Sequence, residues 1–77
     1  MKEVLEIIAK SLVGYPEQVD VKEIENEDQT TTLELRVADS DMGKVIGKQG
    51  RIAKAIRTVV KAAASRENKK VAVEILQ

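Results

Sequence analysis

The sequence contains no cysteine, histidine, tryptophan or phenylalanine, and only one tyrosine and one proline. Each gap excludes a chemistry. Without cysteine there is no disulfide and no thiol nucleophile, which fits a reducing compartment. Without histidine the usual general base and the commonest metal ligand are missing. No nucleophile, base and orienting group can then be assembled, so an enzyme is not expected. A long apolar run is lacking as well: Met1-Lys2-Glu3 leads into a helical pattern charged at Glu6 and Lys10, with neither a secretory segment nor a membrane span. The expectation is a cytoplasmic, soluble domain without cofactor or metal.

The 77 residues suffice for one domain, and a chain of this size buries only about 60% of its unfolded surface. With 43% apolar and 34% charged residues, the composition is that of a globular domain with a strongly solvated surface. The formal net charge of zero conceals an asymmetry. Met1 to Asp41 carries 11 acids and 4 bases, a balance of −7, whereas Met42 to Gln77 carries 9 bases and 2 acids, a balance of +7. Either the halves intermix in space and neutralise each other, or the second half builds a basic face for a polyanion. Charge alone leaves both readings open.

Apolar residues at Val4, Leu5, Ile8, Leu12 and Val13 recur at helical spacing and predict a helix over 1–13, stopped by Gly14 and Pro16. A strand is expected over 19–25, where Val19 and Val21 alternate with polar residues; Ile24 is out of phase, so the strand bulges near Lys22 and Glu23 or ends early. The alternation of Leu33, Leu35 and Val37 predicts a second strand over 31–38. Asp39 or Ser40 is the expected N-cap of a short helix over 40–46. A metal or a carboxylate pair at Asp39 and Asp41 lacks further ligands.

Gly47-Lys48-Gln49-Gly50 then forms a loop, 47–50, ahead of a long helix over 51–66. In that helix Ile52, Ala55, Ile56, Val59 and Ala63 fall on one side and Arg51, Lys54, Arg57 and Lys61 on the other, while Val60 and Ala64 border the apolar stripe. Arg57 and Lys61, further from the loop, also suit plain solvated surface. A last strand is expected over 70–76. A two-helix crossover between the second and third strands favours their parallel pairing beside the antiparallel hairpin. The fold class is α+β, in the order αββααβ, with a mixed three-stranded sheet and three helices on one face.

The two glycines suit close backbone approach, and the helix after them would direct unpaired amides at a phosphate. A P-loop is excluded, because its longer glycine spacing and following Lys-Ser or Lys-Thr are absent. Val45-Ile46-Gly47-Lys48-Gln49-Gly50-Arg51-Ile52 resembles the V-I-G-x-x-G-x-x-I signature of KH domains, and the element order is that of their type II arrangement. Nearly the whole chain resembles the small stand-alone bacterial KH proteins of the KhpA family.

That resemblance implies single-stranded RNA as partner, with about four nucleotides clamped along a narrow groove by the GxxG loop. Carried over by position, Gly47 and Gly50 let the backbone approach phosphates, Lys48 and Gln49 point at them, and Val45, Ile46 and Ile52 wall the groove opposite the last strand. Charge and proximity add Arg51, Lys54, Lys69 and Lys70. A stacking platform of the RRM or OB type is excluded, since Tyr15 is the only aromatic. Rejection of single-stranded DNA is not implied. The resemblance also implies pairing, as a homodimer or with a larger KH-containing RNA-binding protein, and roles in RNA chaperoning, post-transcriptional regulation, cell shape and cell division. The competing expectation is a protein-interaction adaptor that keeps the KH fold with RNA binding secondary.

Overall fold

In the computed structural model, which describes residues 1–76, helix α1 spans Lys2–Leu12 and buries Leu5 and Ala9. Strands β1 (Asp20–Glu25) and β2 (Thr31–Arg36) form an antiparallel hairpin. A 3-10 turn at Asp39–Asp41 opens helix α2 (Met42–Ile46), a second 3-10 turn covers Lys48–Gly50, and helix α3 (Arg51–Arg66) leads to β3 (Val71–Leu76). The strand order is β1-β2-β3 with β3 parallel to β2. The helices cover one face of this mixed sheet, as the α+β reading requires.

Alternation decides what lies under the helices. Val21, Leu33, Leu35, Val71 and Val73 are buried on the covered face, joined by Leu5, Val45, Ile56 and Val60. Fully burying a side chain of this size contributes roughly 1.5–3 kcal/mol. The register of β1 with β2 runs unbroken from Asp20–Arg36 to Glu25–Thr31. The strand therefore neither bulges at Lys22 and Glu23 nor ends early. Ile24 sits beside Thr32 on the open face, and Glu23 points to the helix side while remaining exposed, because β1 is an edge strand that outruns its cover.

The apolar stripe of α3 is rotated from the expected one. Ala53, Ile56, Val60 and Ala64 are buried, whereas Ala55 is exposed and Val59 is 51% exposed. Val60 and Ala64, read as border residues, are at the centre of the contact. The helix offers two adjacent apolar columns, each of one isoleucine, one valine and two alanines, so composition does not choose between them and the fit against the sheet does.

Neither Asp39 nor Ser40 caps the region before α2, where no side-chain cap bond forms. The chain instead buries Asp41, 1% exposed, and turns its carboxylate back toward the end of α1. The Gly14 amide donates to Oδ1 and the Tyr15 amide to Oδ2, both at 3.0 Å, and the Lys44 ammonium lies 3.4 Å from Oδ1. Those amides, Gly14 foremost, and Lys44 outweigh burial and hold the Asp41 carboxyl below its ordinary range. A depressed folded-state value gives stability that is present above the unfolded value and lost as pH falls through the folded one. Acid titration of unfolding should therefore show a stability loss below the ordinary aspartate range, and Asp41→Asn should lower stability at neutral pH and flatten that part of the profile.

Candidate nucleic-acid interface

Parallel pairing of β2 with β3 requires the chain to return along the sheet, and α3 makes the return. Its 16 residues span about 24 Å at 1.5 Å per residue, enough to run back past a six-residue strand of about 20 Å. The turn between α2 and α3 therefore lies at the C-terminal end of β2 and β3. Lys69 and Lys70 lie at the other end of α3, where the Lys70 carbonyl accepts from the Thr31 amide. They are not part of the loop site, since proximity in sequence to β3 was not proximity to the turn.

The turn has an unusual backbone. Gly47 adopts φ 75°, ψ 174°, Gln49 adopts φ 59°, ψ 23°, and Gly50 adopts φ 74°, ψ 15°. The two glycines are required for different reasons. A Cβ on Gly47 would stand 2.5 Å from Ile52 Cγ1, whereas a Cβ on Gly50 would meet nothing within 4 Å. Gly47 closes the turn onto Ile52; Gly50 leaves open space beside the start of α3. The Gly50 amide donates to the Gly47 carbonyl at 3.2 Å, which closes the turn ahead of α3. Lys48 and Gln49 are exposed, and Arg51 reaches the Gln49 side-chain oxygen at 3.4 Å.

The apolar residues assigned to the groove differ in exposure. Val45 is fully buried and holds the turn from within the core. Ile46 is half-buried against that core, and Ile52 packs under Gly47 on the side of α1, sharing an apolar hollow with Ile8 and Leu12. The final isoleucine of the signature falls on Ala53, which is buried, so Ile52 stands one place early and serves the turn.

The basic flank of α3 also carries a residue outside the expected site. Arg57 is half-buried, and its Nε–H donates to the Val73 carbonyl at 3.1 Å. This contact orients α3: at 100° per residue, Lys54 and Lys61 share the flank of Arg57, which borders β3, while Ile52, Ala55 and Val59 share the opposite flank toward α1. The spacing of three from Lys54 to Arg57 and of four from Arg57 to Lys61 was the available signal. Met42 to Arg66 contains no acid, and among the described residues no carboxylate lies within 4.0 Å of Lys48, Arg51, Lys54, Arg57 or Lys61. Many of the acids lie on β1 and its turn, the sheet edge remote from β3.

An antiparallel hairpin, a parallel third strand reached through helix, GxxG turn and helix, and helices on one face together define a type II KH domain. The family model for the KhpA/KhpB KH domain matches residues 2–75, and the chain belongs to that family. It is 70% identical over 76 residues to "RNA-binding protein KhpA" of Clostridium perfringens, covering 99% of this chain and 100% of that protein. The protein of the same description from Chlamydia trachomatis is 51% identical over 77 residues, covering 100% and 97%. Among solved structures, Era in complex with MgGDPNP and nucleotides 1506–1542 of 16S ribosomal RNA superposes with a TM-score of 0.69 at 21% identity, covering 96% of this chain and 28% of that one. Era from Aquifex aeolicus bound to GDP.AlF4− gives 0.65 at the same identity and coverage. At such identity the likeness is one of fold.

The turn predicts unequal glycine substitutions. Gly47→Ala, which combines a strained backbone with a clash against Ile52, should cost about 3 kcal/mol in urea unfolding. Gly50→Ala should cost only about 1 kcal/mol, the left-handed penalty alone.

Proposed function

We propose that this protein is a non-enzymatic single-stranded RNA-binding protein that holds about four nucleotides across the GxxG turn and along the basic flank of α3 beside β3. The carrying observation is a row of cations, Lys54, Arg57 and Lys61, headed by Lys48 and Arg51 at the glycine turn, with no carboxylate within 4.0 Å of any of them among the described residues. The KhpA relatives, described as RNA-binding proteins, support the choice of nucleic acid. Backbone amides and cations hold phosphates without reading bases. The broad selectivity that follows suits an RNA chaperone or post-transcriptional regulator.

So short a footprint limits affinity, and pairing of domains raises it through effective concentration. The opposite flank of α3 supplies a surface for this. Ile8, Leu12, Ile52, Ala55 and Val59 line an almost wholly apolar hollow with Arg51 also at its wall, and Ile7 on α1 is 69% exposed. A second KH domain seated there, from another copy or a larger KH-containing protein, leaves both basic flanks outward for one RNA. The same hollow is the observation that favours an adaptor with RNA binding secondary.

Replacing both Lys48 and Gln49 by Asp should leave circular dichroism and melting nearly unchanged, since both are exposed, while binding to a short single-stranded RNA is lost. Undiminished binding would remove the loop from the site. For the native chain, log affinity against log salt should fall with a slope of about −3 if four phosphates are neutralised. Val59→Asp should convert a pair into a single domain in sedimentation velocity with the loop site intact; an unchanged sedimentation coefficient would place pairing elsewhere.

A further inference from the structure

Strand β1 forms one edge of the sheet, with β2 on its inner side and no strand on the other. The Asn26 amide donates to the Thr30 carbonyl at 2.8 Å, and the register continues from there without a break. By the alternation of an antiparallel pair, Ile24, Lys22 and Asp20 then bond toward β2, while Glu25 and Glu23 turn their backbone N–H and C=O groups outward. Those outward groups find no partner among the described residues. The side chains of the same two residues lie on the helix side, where they line a cavity of about 300 Å³ with Met1, Asn26, Thr31 and Lys69. Both are exposed, and neither carboxylate has a cation within 4.0 Å among the described residues. From Glu17 to Asp28 the chain carries six acids against one base, Lys22.

We infer that β1 is a docking edge for an extended basic peptide of a partner protein, which adds as a fourth, antiparallel strand with lysine or arginine opposite Glu23 and Glu25. A strand added to a sheet edge gains main-chain hydrogen bonds, and its alternate side chains set its identity. Residues directly opposite each other share a face of the sheet, so basic residues two apart in the peptide meet both carboxylates. Charges on an edge strand turn neutral strands away, because pairing would desolvate them without a counter-ion. The same carboxylates become cross-strand ion pairs when the incoming strand is basic. RNA is repelled from this edge by the acids along it. β2 lies between β1 and β3, so a peptide on β1 leaves the basic flank of α3 beside β3 uncovered. The inference goes beyond the RNA-binding reading and does not depend on it.

The test uses the isotope-labelled full chain and a short peptide of alternating threonine and lysine with blocked ends. At low salt this peptide should bind saturably, and hydrogen exchange of the Glu23 and Glu25 amides should slow by about tenfold or more at saturation. Two control peptides should each bind about tenfold more weakly, one with glutamine for lysine and one that keeps lysine but carries a methyl group on each lysine backbone nitrogen. The double substitution Glu23→Lys with Glu25→Lys should weaken binding to a similar degree, with circular dichroism unchanged because both side chains are exposed. The peptide comparisons need only the native chain, so they decide the matter even where the double variant folds poorly. Equal binding of the methylated peptide overturns the inference, since attraction between charges then accounts for it without strand addition. So does protection that falls on β3, or binding that a folded double variant retains in full. Absence of slowing at the two amides with millimolar peptide overturns it as well, and leaves the acids as a guard against strand pairing.

Discussion

The chain must change direction between α2 and α3 within Gly47 to Gly50, and that constraint organises the molecule. β3 pairs parallel to β2, so the intervening segment has to travel back along the sheet, and α3 can do so only if it starts beside the C-terminal end of β2. The positive φ at Gly47 and its contact with Ile52 set that start. The same turn exposes Lys48 and Gln49 at the head of a helix. Scaffold and candidate site are thus one piece of backbone, and the two glycines are not equivalent: Gly47 serves packing, and Gly50 has open space beside it.

Around this turn, α3 divides the surface into two flanks. The contact between Arg57 and Val73 fixes the rotation of the helix against the sheet. One flank then carries cations beside β3, and the other carries Ile52, Ala55 and Val59 toward α1. The proposed RNA contact uses the first through phosphate attraction, and the proposed pairing uses the second through removal of apolar surface from water. Asp41 contributes from the far side, since its carboxylate locks the segment after α1 to the start of α2 and so supports the helix that leads into the turn.

Much of the fold was legible because its periods are unambiguous. Leu33 and Leu35 alternate cleanly, and α3 is long enough for its helical pattern to average out local exceptions. The GxxG turn was legible because two glycines with two residues between them imply a backbone that side chains disfavour, and the positive φ at Gly47 and Gly50 agrees. Less legible were residues whose neighbours come from elsewhere in the chain. Asp41 resembled any acid at a helix start, and only the return of Gly14 and Tyr15 makes it a buried anchor. Lys69 and Lys70 looked close to the site because β3 was, yet the strand enters the sheet at its remote end.

The amino-acid order by itself determined the succession of elements, the mixed sheet, the absence of His and Cys chemistry and the place of the GxxG turn, because these depend on local periodicity and on residue types present or missing. Tertiary structure decided which of two apolar columns on α3 is buried, whether Val45 and Ile52 face a ligand or the interior, and which side of the helix holds the cations. Those outcomes depend on how closely α3 approaches the sheet. That distance is a property of two packed surfaces, small alanines on one and valines and leucines on the other, and neither surface contains it alone.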